Sequence, residues 1–275
     1  NLGYFLKNYL SESGSNYSNK NFLNKDPGLE HSYSNIGAGL AAHILENIMD
    51  KPFNLITKEL IFLPLDMKNT TWFLSEMKNQ SIHAKLYKKD KDMNDFNEVE
   101  VYGLTTYPDG GLRTSIKDLT KYLNYIMCEK PALEQPIINK KSKKNMFTPD
   151  FEQDYAKFWD TKNFIGHGGG DPGVATSMYF DPLNEIGVIL FTNTSTYDDF
   201  YTLTKKIYDY GVNTNDLVYE PKEPKNITKV CYDFVNNIKI GDLIFVKKGR
   251  RKLIGAGIVS SNYKYITDRT HSKNI

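Results

Sequence analysis

The stretch "GHGGGDPGVATSMYFDP" (166–182) decides how the chain is read. One histidine, His167, stands among Gly166, Gly168, Gly169 and Gly170, followed by a Pro-Gly turn. Glycine loses more conformational entropy on folding than any other residue, so such a cluster is unfavourable unless its φ > 0 freedom or its missing Cβ is used. Taken alone, the segment reads as a turn carrying a solvated ring. The sharper reading is a backbone against which a substrate lies. Beyond it, Val174, Thr176, Met178 and Phe180 alternate with Ala175, Ser177 and Tyr179, the period of a strand. "DPLNE" turns the chain, and Ile186 to Phe191 reads as a second strand buried on both faces. Two adjacent antiparallel strands follow, with His167 where a loop enters the edge of the sheet. Residues 193–212 read as a helix lying on that sheet.

Upstream, Ile36, Leu40, Ala41, Ile44, Leu45 and Ile48 recur at three-to-four spacing, as one buried helical stripe requires. Ser34 or Asn35 caps its start and Pro52 marks its end. A second helix is announced by "TSIKDLTKYLNYIM" (114–127), in which Ser115 and Asp118 resemble a capping box and Ile116, Leu119, Leu123 and Ile126 form the apolar face. Before it lies "YPDGGLRT" (107–114), a tight-turn sequence, and residues 11–32 read as a Ser/Asn/Gly/Pro-rich loop.

At 275 residues the chain is long enough to bury a sizeable core. With 40% hydrophobic and 25% charged residues and a net charge of +2, its composition is that of an ordinary globular protein and makes no global case for nucleic acid or an acidic membrane. Cys128 and Cys231 have neither CxxC nor metal-type spacing and read as small buried hydrophobes. The five histidines, His31, His43, His83, His167 and His271, lack ligand spacing, so neither a metal nor another cofactor is expected. No run of about 18 apolar residues suggests a membrane span. The opening at Asn1, without Met or a signal peptide, reads as the interior of a longer polypeptide.

Three separated features line up: "YSN" (33–35) ahead of a helix, "YPDGGLRTSIKDL" (107–119) and "GHGGGDPGVATSMYFDP" (166–182). Together with "HSYSNIGAGLAAHILENIMDKPFNLITKELIFLPLDMKNTTW" (31–72), they resemble the serine β-lactamase-related hydrolases, which include class C β-lactamases, D-alanyl-D-alanine carboxypeptidases and related esterases. The resemblance spans about residues 1–212. It implies an α/β (α+β) β-lactamase/transpeptidase-like fold, incomplete here, with an antiparallel sheet flanked by helices. It also implies acyl transfer through a Ser-x-x-Lys nucleophile, a Tyr-x-Asn, and a Lys-Thr-Gly or His-x-Gly on the edge strand. By that resemblance Tyr33 is the general acid/base, Asn35 holds the substrate amide, and His167 hydrogen-bonds the tyrosine and biases its proton. Gly168 and Gly169 keep side chains off the strand edge, and the N–H near Gly170 completes an oxyanion hole. The implied ligand is a small-molecule or peptide amide or ester, and the family usually works outside the cytoplasm.

The nucleophile is missing from its expected place. Only 32 residues precede Tyr33, and none of them form Ser-x-x-Lys. The spacing occurs at Ser75–Lys78 and Ser261–Lys264, both misplaced relative to the tyrosine and read as chance matches. Two expectations stay open: a hydrolase piece that is inactive as written, or a binding protein that keeps the cleft without turnover.

Residues 213–226, "NTNDLVYEPKEPKN", read as a linker. The tail at 227–275 reads as short strands with a basic "KKGRRK" tip (247–252). It weakly resembles the opening of PUA-like or EVE-type modules, which implies nucleic acid as a partner through 227–275; the other reading is a β-rich extension with a solvated turn.

Overall fold

Ser34, rather than Asn35, starts the first long helix: its Oγ accepts the N–H of Gly37 at 2.9 Å, leaving Asn35 as the first helical residue. The computed structural model describes residues 1–89, 96–128, 136–151, 154–195, 200–215, 243–247 and 253–258. Contacts divide the chain into two units, Asn1–Thr214 and Asn215–Ile275.

In the first unit, helix α1 (Leu2–Leu10) is capped by Asn1, whose side chain accepts from Tyr4 N. It buries Leu2 and Leu6 against Ala42 of helix α2 (Asn35–Met49). The stripe expected for α2 is only partly the buried one. Gly39 and Ala42 are buried, whereas Ala41 is exposed and Ile44 and Ile48 are 51% and 75% exposed. Because α2 is apolar on more than one side, periodicity could not say which side meets α1. Asp50 ends the helix in the left-handed region (φ 47°), two residues before Pro52, and helix α3 (Phe53–Thr57) begins directly after that proline.

Strands β1 (Leu86–Lys89) and β2 (Phe96–Val99) make an antiparallel pair. Helix α4 (Ile116–Met127) runs as the sequence suggests, with Leu123 and Ile126 buried in the main core. Its start is only half a capping box: Ser115 Oγ accepts from Asp118 N, but the Asp118 carboxylate does not turn back to the cap. It instead accepts from Asn69 N at 2.6 Å and Thr70 Oγ1 at 3.1 Å, tying the preceding loop to the helix from a position 1% exposed. Helix α5 (Lys140–Met146) follows, capped by Asn139.

The sheet has strand order β3-β4-β5, from β3 (Ile165–Asp171), β4 (Val174–Asp181) and β5 (Ile186–Thr192), all antiparallel. The Gly-rich segment is therefore itself the edge strand and not a loop entering it. Its turn to β4 falls at Pro172–Gly173, where Gly173 takes φ +80°. Glycine at 166 has a steric cause: a Cβ there would lie 2.2 Å from Met178 O and 2.4 Å from the Tyr179 ring.

The sheet is covered on both faces. Phe180 and Ile189 join Leu123 and Ile126 of α4 in the core. On the opposite face Ser177 Oγ meets Thr204 Oγ1 of helix α6 (Phe200–Asn215) at 3.2 Å. The helix expected at 193–212 thus lies on the sheet, starting later than the sequence suggested. Tyr87 N donates to Asn193 O at 2.9 Å, which links β1 to the end of β5.

In the second unit, β6 (Leu243–Lys247) and β7 (Leu253–Ile258) form an antiparallel pair with an irregularity at Val246/Lys247. Helix α6 takes in the first three residues of the linker expected at 213–226; its remainder, Cys231 and the tip of "KKGRRK" lie outside the described residues.

Candidate functional site

The site is assembled from two segments far apart in sequence. Tyr33 precedes the cap of α2, and His167 is the third residue of β3. Their rings face each other with centroids 5.7 Å apart and planes 28° from parallel. Tyr33 is 57% exposed, and Asn35, two residues on, is exposed in the first turn of α2. The electropositive end of α2 lies beside both.

A third ring, Tyr155, completes the cluster. Its Oη is 3.0 Å from His167 Nε2, and its ring stands edge-on to both His167 (5.9 Å, 77°) and Tyr33 (6.2 Å, 90°). His31 stacks on Tyr155 at 4.5 Å. His167 Nδ1 lies 2.5 Å from Gly168 O. A carbonyl oxygen only accepts, so Nδ1 carries hydrogen; in the neutral ring Nε2 is then the acceptor and Tyr155 O–H the donor. The hydrogen bond expected between His167 and Tyr33 is therefore made with Tyr155, while Tyr33 packs on the imidazole face. Burial first, then Tyr33, Asp160 and Tyr179, pushes the Tyr155 phenol up to about 12, so it is a donor at neutral pH.

Nothing in "FEQDYAKFWDTKNF" (151–164) singles out Tyr155, because its position comes from long-range contacts. Tyr155 and Asp160 pair across a tight loop, with Ala156 N donating to Trp159 O at 2.7 Å and Thr161 N to Asp154 O at 2.8 Å. Trp159 anchors the loop in the core, edge-on to Phe147 and Phe180. Asp160 then exchanges two backbone hydrogen bonds with Gly166.

That exchange defines the edge of β3. Alternate residues of an antiparallel strand send their N–H and C=O groups to the same side. Since Gly166 turns both groups away from β4 toward Asp160, Gly168 and Gly170 turn theirs the same way. Among the described residues no strand covers β3 beyond Gly166 on that side. The edge is therefore a short track of amide donors and acceptors running past His167. At Gly168 an added Cβ would come no nearer than 3.7 Å to other atoms, whereas at Gly169 it would lie 2.8 Å from Thr176 Oγ1. The track ends at a cavity of about 330 Å³ lined by Lys88, Gly170, Asp171, Pro172 and Ser195.

Of the two Ser-x-x-Lys matches, Ser75 is exposed in a single 3₁₀ turn (Leu74–Glu76) that Glu76 holds to Asn54 Nδ2 at 2.9 Å; the other lies outside the described residues. No group of three or more His, Cys, Asp or Glu side chains among the described residues is arranged to hold a metal ion. No helix among them is long and apolar enough to cross a membrane.

Residues 13–209 match a family model described as Beta-lactamase, and residues 192–275 match one described as a domain of unknown function (DUF8426). A curated relative, protein flp of Staphylococcus aureus, is 22% identical over 177 residues, covering 62% of this chain and 35% of its own length. A penicillin-binding protein homologue from Pyrococcus abyssi, described as octameric, superposes with a TM-score of 0.59 at 22% identity, covering 76% of this chain and 51% of its own. D-amino acid amidase from Ochrobactrum anthropi, complexed with L-phenylalanine amide, gives 0.53 at 22% identity, covering 67% and 56%. A penicillin-binding protein from Bacillus halodurans gives 0.54 at 19% identity, covering 67% and 57%. The chain thus spans about half the length of these solved structures and about a third of the curated relative.

Proposed function

The chain belongs to the beta-lactamase family, and from that premise we propose that its first unit carries a cleft for small amides, esters or peptides of the kind that acyl-transfer enzymes bind. The observation that carries this reading is the face-to-face approach of Tyr33 and His167 beside a strand edge that no strand among the described residues covers. In the proposed arrangement the ligand lies along β3. Gly170 N–H donates to its carbonyl oxygen, where negative charge grows during acyl transfer. Asn35 holds the amide, and Tyr33 is the proton-transfer group, exposed where a ligand heteroatom reaches it. His167 packs against the Tyr33 face and fixes its position.

Acyl transfer also needs an attacking hydroxyl, and no Ser-x-x-Lys precedes Tyr33 in these 275 residues. Losing the nucleophile of a serine hydrolase costs about 10⁶ in turnover, close to 8 kcal/mol. The second reading follows from this: the 275-residue chain binds amide or ester ligands without forming an acyl-serine.

Both readings meet one pair of measurements. D-phenylalanine amide and a D-alanyl-D-alanine peptide are titrated into the chain while the NMR signals of Tyr33 and His167 are followed. In parallel, the chain is incubated with a fluorescent penicillin and a fluorophosphonate, and its intact mass is read. Saturable shifts confined to the cleft, with no mass gain, are expected. Stoichiometric covalent labelling would overturn the binding-only reading, and the absence of both binding and labelling would remove the cleft.

A further inference from the structure

Tyr155 belongs to neither motif of the cleft, yet its hydroxyl is in hydrogen-bond contact with the imidazole, 3.0 Å from Nε2. The loop that carries it is held at three points: the Tyr155–Asp160 bridge, Trp159 in the core, and the paired backbone bonds of Asp160 with Gly166. The last of these places the loop one residue before His167 on the same strand. Tyr155 is only part-exposed, with His31 stacked on its ring.

We propose that Tyr155 is the positioning residue of the cleft: by donating its O–H to Nε2 it locks His167 as the Nδ1–H tautomer, with Nδ1–H on Gly168 O and the ring plane laid against Tyr33. The value of this lock to ligand binding rests on the reading of the cleft given above; the lock itself does not. It has two effects. The imidazole is tied at both nitrogens, so it cannot rotate away from Tyr33. One lone pair of Gly168 O is occupied, so beside His167 the edge offers the Gly168 N–H more freely than the Gly168 carbonyl, while Gly170 keeps both its N–H and its C=O for a ligand. When His167 takes up a proton, Nε2 becomes a donor and the Tyr155 hydroxyl turns to accept, so the ring keeps its orientation in both states. The titratable groups around this pair are Tyr33, His31, Asp160 and Tyr179.

The test reads the tautomer directly. In the chain labelled with ¹⁵N-histidine, long-range ¹H–¹⁵N spectra at pH 8 are expected to show His167 in one form, with Nδ1 protonated and Nε2 bare. In Tyr155→Phe, which removes a single oxygen, the tautomer ratio is expected to shift by about five-fold or more toward Nε2–H, the scale of one neutral hydrogen bond. His31→Ala, which removes a stacking partner but no bond to the imidazole, is the control and is expected to leave the ratio unchanged. An Nε2–H form or an even mixture in the unmutated chain overturns the proposal, whether or not the phenylalanine variant folds. So does an unchanged ratio in a folded Tyr155→Phe. A correct tautomer in a chain that takes up neither probe ligand upholds the lock and removes the function of the cleft, so the two failures are distinguishable.

Discussion

Asp160 and Gly166 exchange both of their backbone hydrogen bonds, at 2.8 and 3.0 Å, and this pair closes the outer edge of β3 two residues before the edge opens at Gly168. The same glycine meets a wall on its other side. A Cβ at 166 would lie 2.2 Å from Met178 O and 2.4 Å from the Tyr179 ring, and neither the strand nor a ring packed on it can simply swing aside. Gly166→Ala is therefore expected to destabilise the first unit by about 1–3 kcal/mol, the usual cost of overpacking. A Cβ at Gly168 has ordinary clearance, its nearest neighbour being Thr176 O at 3.7 Å. Gly168→Ala is expected to keep the stability and weaken ligand binding along the edge. Urea unfolding of the two variants, with titration of the amide probe into the second, checks both; equal losses of stability would sink the distinction.

How much of this was legible in the sequence depends on the range of the interaction that sets each feature. The strands at 174–180 and 186–191 and the helix beginning near Ser115 are written in local alternation and capping, and they stand where the sequence puts them. The face that α2 buries was not legible, because Ile44 and Ile48 repeat as regularly as the residues that meet α1. Tyr33, Asn35 and His167 were named from their motifs, and the rings of Tyr33 and His167 come together in the fold. Tyr155 was not found. A tyrosine in a polar loop has no periodicity, and its place beside His167 depends on an anchor, Trp159, that packs on residues more than ten positions away.

Asn35 tests whether the cap and the site are separate. Since Ser34 supplies the oxygen that caps α2, Asn35→Ala removes no capping bond. Its expected effect is weaker binding of the amide probe with an unchanged thermal midpoint. Ser34→Ala is expected to do the reverse, lowering stability by about 1 kcal/mol. Calorimetric melting and ligand titration of both variants decide this, and a large loss of stability in Asn35→Ala would show that it serves the helix.

Asp118 is the polar keystone of the main core. It is 1% exposed and its carboxylate accepts from Asn69 N and Thr70 Oγ1, with Lys121 Nζ 3.6 Å away. Asp118→Ala removes the acceptor of Asn69 N and one of two partners of Thr70 Oγ1, which keeps Thr114 Oγ1 at 2.8 Å. A loss of about 1–3 kcal/mol, the scale of hydrogen bonds to a charged group, is expected from denaturant unfolding. Asp118→Asn keeps an acceptor and is expected to lose less; equal losses would indicate that charge rather than hydrogen bonding holds the loop.

Alkali reaches the site and the core together. Tyr102, Tyr107, Tyr122 and Tyr155 are each pushed up to about 12, with burial the largest cause; Asp171 adds to it at Tyr102, Glu46 at Tyr107 and Tyr33 at Tyr155. An unfolded phenol loses its proton near pH 10. Between about pH 10 and 12 the native chain therefore holds protons that the unfolded chain has released, and stability falls as pH rises through that window. The contribution is fully present below pH 10. Tyr155 adds a functional consequence, because its ionised form has no hydrogen to donate to His167 Nε2. Phenolate absorbance followed with circular dichroism is expected to show these tyrosines ionising late and in step with loss of fold. Complete phenolate formation near pH 10 in a chain that keeps its native spectrum would contradict the burial of these four groups.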